Sequence, residues 1–264
     1  MKALRAVAML LAAWGMGALQ TVAAEVPRVL IIGDSISIGY TPFVSERLKG
    51  RAEVVHAPGN NAATVTGLQH LDQWLGTGKW DVIHFNWGLH DLKYFDAQGK
   101  AVPVAKGKPW VPVDQYETNL RTLVQRMKKT GATLIWCATT PVPEGAGVRV
   151  AGSEVAYNAA ALRVMRAEGV PVNDLHAFIG SPEQRLAMGG RPKDVHYTEA
   201  GYKALAGEVV KAIENALGFG GWTDLFDGAS LRGWRMYGKP AGTPIGEGWK
   251  VEDWLLHKLP GVKG

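Results

Sequence analysis

The hydrophobic pattern between residues 28 and 217 alternates two kinds of segment. Short unbroken apolar runs read as strands buried on both faces, and longer stretches with apolar positions every three or four residues read as helices with one buried stripe. Val29, Leu30, Ile31 and Ile32 make the first such run, which stops at Gly33. The pattern then predicts a helix over about 42–48, a strand over 53–56, and, past a Gly/Asn turn, a helix through Leu68, Leu71 and Leu75. A third strand is expected over 82–85 and an amphipathic helix over 113–129, where Tyr116, Leu120, Leu123 and Met127 share a face. A fourth strand over 133–137, a helix over 156–167, a fifth strand starting at 170–173 and a final helix over 199–217 complete the series. Repeated β-then-α units imply an α/β fold of three layers, α/β/α, around a parallel five-stranded sheet.

In such sheets ligands bind beyond the carboxyl ends of the strands. The unusual polar residues of this chain follow those ends. Gly33, Asp34 and Ser35 come after the first strand, Gly59, Asn60 and Asn61 after the second, and Gly88 to Asp91 after the third. Asp194 and His196 stand just before the last helix. These four loops are expected to meet at one edge. The Gly/Pro-rich loop over 92–111 is longer than a connection needs; it is a tolerated insertion or a substrate-shaping lid, with Tyr94 and Trp110 as cleft-lining candidates.

The chain's beginning changes the picture of where it works. Lys2 and Arg5 precede an almost wholly apolar run over 6–19, and small residues at 22–24 offer a cleavage site. The run is short for a membrane span, so residues 1–24 are expected to be a cleaved export signal, leaving a mature chain with no membrane span in the periplasm or outside the cell. Two of the formal +5 charges belong to Lys2 and Arg5, which leaves +3 on scattered positions and suggests no nucleic-acid partner. Cys137 is the sole cysteine, which excludes an intramolecular disulfide. The remaining histidines, His56, His70, His84, His176 and His257, have no ligand spacing, so no metal or other cofactor is expected.

Acyl transfer by serine needs a hydroxyl beside a base, an orienter for that base, and donors aimed at the developing oxyanion. Ser35 sits where a buried strand gives way to a helix, and Gly59 would let a carbonyl oxygen approach its N–H. The first loop lacks the lysine of a phosphate loop, the glycine spacing of a dinucleotide site and the G-x-S-x-G elbow. Gly33-Asp34-Ser35-Ile36-Ser37 resembles the first block of the SGNH (GDSL-like) hydrolases. Gly59-Asn60-Asn61-Ala62-Ala63-Thr64 is similar to their second block, Gly88-Leu89-His90-Asp91 to the third, and Asp194-Val195-His196 to the last. The four occur in order across residues 28 to about 217. The resemblance implies a flavodoxin-like SGNH fold, Ser35 as nucleophile, His196 as base, and an oxyanion hole that includes the N–H groups of Ser35 and Gly59.

Two positions depart from the family pattern. His90 replaces the third-block asparagine, so the third oxyanion donor is His90 or the amide of Asn60 or Asn61; otherwise His90 holds its loop as a partner of Asp91. Lys193 stands where the family has its acid, three residues before the histidine. Either Asp194, two before, reaches the imidazole, or a backbone carbonyl orients it. Asp34 is expected to stabilise the first loop.

The last residues differ in character. Trp222, Trp234, Trp249 and Trp254 lie among glycine-rich turns, and 222–235 with 248–253 resemble the opening of a 3-keto-disaccharide hydrolase domain, a concanavalin-like jelly roll. The expected organisation is thus a signal over 1–24, a hydrolase domain over 25–219, and a short β-type fragment over 220–264 that starts a sandwich. That resemblance points to carbohydrate: an esterase releasing O-acyl, foremost acetyl, groups from a sugar or polysaccharide. A lipase, thioesterase or acyltransferase using the same serine, or a non-catalytic carbohydrate-binding protein, are the competing readings. Nothing in the sequence bears on oligomeric state.

Overall fold

In a computed structural model, residues 25–219 are described in full, followed by the backbone of one hairpin at 249–252 and 255–258. The expected export signal and most of the C-terminal fragment lie outside the described residues.

The elements in chain order are β1 (Arg28–Ile32), α1 (Ser35–Arg47), β2 (Glu53–His56), α2 (Thr64–Leu75), β3 (Val82–Phe85), β4 (Tyr94–Phe95), β5 (Lys108–Pro109), α3 (Val113–Lys128), β6 (Thr133–Cys137), α4 (Glu154–Glu168), β7 (Val172–Asn173), α5 (Leu175–Ile179), α6 (Pro182–Ala187) and α7 (Glu199–Leu217). The hairpin pairs β8 (Trp249–Glu252) with β9 (Leu255–Lys258) in antiparallel register.

Five strands form one parallel sheet in the order β2-β1-β3-β6-β7. Val29 to Ile32 and all of β3 are buried, as a strand covered on both faces must be. Helices α1 and α7 pack together as one layer, and α3 packs between α2 and α4 as the other. The α1–α7 crossing is tight. A Cβ at Gly39 would stand 2.3 Å from the Tyr202 ring, so only glycine lets the two helices meet there.

Two expectations are corrected. The first helix begins at Ser35, not near 42, because Asp34 caps it: the Asp34 carboxylate accepts from the Ile36 N–H at 2.9 Å. Pro42 lies inside this helix and removes a single rung of it. The fifth strand is confined to two residues, since Pro171 has no N–H to give, although its carbonyl accepts from Trp136. The 92–111 loop, expected as an insertion or a lid, carries the small β4–β5 hairpin and a 3₁₀ turn at Val104–Lys106. Helices α5 and α6 were not foreseen.

Candidate active site

The parallel topology carries the loops after β1, β2, β3 and β6 to one edge, as the strand-end rule requires. Ser35 is the first residue of α1, so its backbone N–H belongs to the helix's unpaired first turn. Its Oγ lies 2.8 Å from His196 Nε2. On the far side of the ring, Nδ1 lies 2.6 Å from Asp194 Oδ1, which also accepts from the His196 backbone N–H at 3.2 Å. A carboxylate can only accept, so Nδ1 carries the proton and Nε2 presents its lone pair to Ser35. Burial pushes the Asp194 carboxyl up, but its bonds to His196 and the charge of Arg191 outweigh this and hold its pKa below the ordinary value. The side chains of Asp194 and His196 are both a little over a third exposed, which leaves the pair open to a ligand.

Asp194 reaches the ring from two residues away because the chain turns there. Arg191-Pro192-Lys193-Asp194 closes with a bond from the Asp194 N–H to the Arg191 carbonyl at 3.4 Å. Pro192 stands at the second position and Lys193 takes a left-handed φ of 56° at the third, where turns of this shape favour glycine. Of the two orienters left open by the sequence, the carboxylate is the one at the imidazole.

A buried cation pins the whole turn. Arg185, 1% exposed, donates to the carbonyls of Arg191 (3.0 Å), Asp194 and His196 (3.2 Å), with its guanidinium 4.9 Å from the Tyr197 ring. No carboxylate pairs with it among the described residues. The bridge between Gly190 and Tyr197 and the Arg191–His196 backbone bond close the same loop. Nothing in the sequence pattern marked Arg185; only its fixing of three carbonyls between Arg191 and His196 reveals it.

The candidate oxyanion donors separate. Gly59 has φ 74°, open space on its Cα and no acceptor for its N–H among the described residues. Asn61 is fully buried, accepts from the Gly33 N–H at 2.8 Å and donates to the Pro58 carbonyl at 3.2 Å. Its oxygen thus ties the second loop to the first, and with the whole side chain buried its amide has no exposed N–H to offer a ligand. Asn60 is exposed, and its carbonyl oxygen accepts from the Ala62 N–H at 3.0 Å. The His90 ring makes no hydrogen bond within the described residues and lies within electrostatic reach of His196. Burial lowers its pKa, which keeps the ring neutral with one N–H to offer.

The alternative role for His90, a partner of Asp91, does not hold. Asp91 is buried and accepts from the backbone N–H (2.9 Å) and hydroxyl (2.5 Å) of Thr64, so it ties the third loop to the start of α2. Its Oδ2 has no partner, and burial raises its pKa to about 7 despite those two bonds.

Behind Ser35 lies a second serine–histidine contact. Ser37 Oγ stands 2.7 Å from both His56 Nε2 and the Asp34 carbonyl, and His56 Nδ1 is 2.6 Å from the Ala57 carbonyl. Ser37 is only 2% exposed, so this pair braces the first two loops and cannot meet a substrate. Tyr94 and Trp110 part company: Trp110 is 41% exposed and stacks on Phe95 at 5.1 Å, lining a groove with Asp96, Lys106 and Lys108, whereas Tyr94 is not part of that groove. Among the described residues no group of His, Cys, Asp and Glu is placed to hold a metal ion, and no helix is long and apolar enough to cross a membrane.

Comparison with known proteins bears on the fold and on the family. No curated protein matches the sequence. Among solved structures, an acetyl xylan esterase is similar at TM-score 0.58 and 18% identity, over 70% of this chain and 99% of the other. A lipase/acylhydrolase from Enterococcus faecalis matches at 0.58 and 19%, over 71% and 95%. A GDSL-like lipase from Bacteroides thetaiotaomicron matches at 0.55 and 15%, over 72% and 88%. At these identities the likeness is one of fold. The sequence itself matches a family model over residues 31–204, a span that begins in β1, ends in α7 and takes in every loop of the strand-end cluster. The chain belongs to the GDSL-like lipase/acylhydrolase family, whose members are ester-hydrolysing serine hydrolases.

Proposed function

We propose that the protein is an exported esterase that removes acyl groups, foremost acetyl, from a carbohydrate through an acyl-serine intermediate. The observation that carries the chemistry is the Ser35 Oγ–His196 Nε2 contact of 2.8 Å, backed by Asp194 at 2.6 Å. His196 takes the Ser35 proton as Oγ attacks the ester carbonyl. The tetrahedral oxyanion is held by the N–H groups of Ser35 and Gly59, with His90 donating from the third loop. His196 then protonates the departing sugar hydroxyl, and by the reverse route activates the water that frees the acid. Asp194 holds the tautomer this requires and stabilises the imidazolium.

The sugar assignment draws on the exposed Trp110 face in the groove of the 92–111 loop, which suits the C–H face of a pyranose, and on the resemblance of the tail to a disaccharide-hydrolase domain. The acetyl xylan esterase among its structural neighbours fits the same reading. Release of acetate from p-nitrophenyl acetate and from a panel of acetylated oligosaccharides tests it. Turnover by the parent chain that falls to background in both Ser35→Ala and His196→Ala is expected. Undiminished turnover in both variants would end the mechanism, and a preference for long-chain esters over acetylated sugars would end the substrate assignment.

A further inference from the structure

The basic residues of the described chain mostly stand at the surface, several in ion pairs with carboxylates within 4 Å. Arg149 and Lys93 differ. Neither has such a partner among the described residues, and both are partly buried beside the candidate active site. Arg149 Nε donates to the carbonyl of Leu89 at 2.8 Å, which fixes its guanidinium against the residue that precedes His90. The Tyr94 N–H donates to the Val148 carbonyl at 2.8 Å, so the segment carrying Arg149 runs along the third loop. Lys93 follows on that loop, its N–H bonded to the His90 carbonyl and its ammonium 5.5 Å from the Phe95 ring.

The charges around this pair are few. Arg149 feels the carboxylates of Asp34 and Asp194, and His90 feels Arg149, Lys93 and His196. Both carboxylates already have other tasks. Asp34 caps α1 and Asp194 holds His196, and neither comes within ion-pair distance of Arg149. Burial lowers the pKa of Lys93, and the nearby guanidinium lowers it further, so the two cations also oppose each other. Two half-buried, mutually repelling cations are costly unless an anion joins them. The two terminal nitrogens of Arg149 make no hydrogen bond within the described residues, which leaves a planar fork suited to an anionic group.

We propose that Arg149 and Lys93 form an anion subsite next to the Ser35–His196 pair, and that the ester substrate is an acidic sugar carrying a carboxylate or a sulfate. This deepens the esterase reading and rests on it for turnover, though not for binding. The guanidinium fork takes the anion while the adjacent O-acyl group lies between Ser35 and His90. Lys93 supplies the second charge at the side nearer Phe95 and Trp110, where a neighbouring sugar ring would stack.

The experiment compares the full chain on an O-acetylated uronic acid oligosaccharide, on the same oligosaccharide with its carboxyls reduced to alcohols, and on an O-acetylated sulfated sugar. In parallel, Ser35→Ala is titrated calorimetrically with the deacetylated uronate oligosaccharide at low and high ionic strength. Charge-assisted hydrogen bonds of this kind predict a preference in kcat/KM of about 10- to 100-fold for the acid over its reduced form. That ratio is expected to collapse in Arg149→Gln, to fall partway in Lys93→Gln, and to survive in part in Arg149→Lys. Loss of the Leu89 contact alone would slow all esters alike and leave the ratio untouched. Lys93→Gln serves as the variant free of that contact, since the Lys93 side chain makes no hydrogen bond. Preference for the sulfated over the carboxylated substrate, removed by the same variants, assigns the subsite to sulfate.

Equal turnover of acid and reduced forms, with uronate binding insensitive to both variants, would overturn the subsite and leave the esterase standing. Arg149-dependent uronate binding with no ester turned over would do the reverse.

Discussion

Asp91 offers a test that turns on stability alone. Its carboxyl is buried, bonded to both donors of Thr64, and raised to about 7 by burial from an ordinary 3.8. A raised acid is protonated in the folded protein over a pH range in which the unfolded chain has released its proton. Its contribution to stability is therefore complete below pH 3.8, is lost progressively as pH rises, and is gone above about 7. The separation of about three units amounts to about 4 kcal/mol across the whole window. Asp91→Asn is the natural reference, because its amide oxygen can accept from Thr64 as the carboxyl does and it has no proton to lose. Urea unfolding of both proteins should show the wild type losing about 3 kcal/mol relative to the variant between about pH 5 and pH 8. A difference that stays constant over that range, or that grows with pH, would show that Asp91 is ionised in the fold and that burial does not dominate its environment.

Other outcomes follow from the same geometry. Asp194→Asn should leave the fold intact and lower kcat by about 10²- to 10⁴-fold, because an amide can donate to Nδ1 and reverse the tautomer; steady-state kinetics on an acetyl ester decide it. Arg185→Met removes the donors to three carbonyls of the turn, and should lower both Tm and kcat, whereas a loss of Tm at full kcat would show that the turn holds itself. Lys193→Gly relieves a left-handed backbone worth about 1–2 kcal/mol, offset by glycine's greater chain entropy, so a gain of up to about 1 kcal/mol by urea unfolding is expected. A marked loss instead would mean that packing of the Lys193 stem on Gly145 outweighs the backbone term.

The sheet was readable because its strands are buried on both faces and therefore carry unbroken apolar runs; β1, β3 and β6 lie where those runs lie. The start of α1 lies outside the expected bounds because Gly39 and Pro42 break the helical pattern, and what makes the helix possible is a cap at Asp34 and a crossing with Tyr202, 163 positions from Gly39. The edge where the polar loops gather was legible from topology, and it brings Ser35, His196, Gly59 and His90 into one region. Their finer arrangement was not. Asn61 looked like a donor by its place in the chain and turns out to brace Gly33. The reach of Asp194 depends on one residue taking a positive φ, for which Pro192 is the only hint in the sequence. Arg149 follows the carboxyl end of β6, so the strand-end rule alone would have drawn attention to it.

The tight α1–α7 seam has a consequence for timing. Ser35 opens α1 and His196 stands three residues before α7, and their 2.8 Å contact joins the starts of two helices that dock through Gly39 and Tyr202. A growing chain therefore owns its hydroxyl long before it owns a base, and acquires the base only as the final wall of the domain arrives. A product truncated ahead of Asp194 lacks the base altogether, however much of the sheet it has formed. Ester cleavage in this protein thus reports on completion of the domain, and its first appearance during refolding should coincide with the last burial of Tyr202.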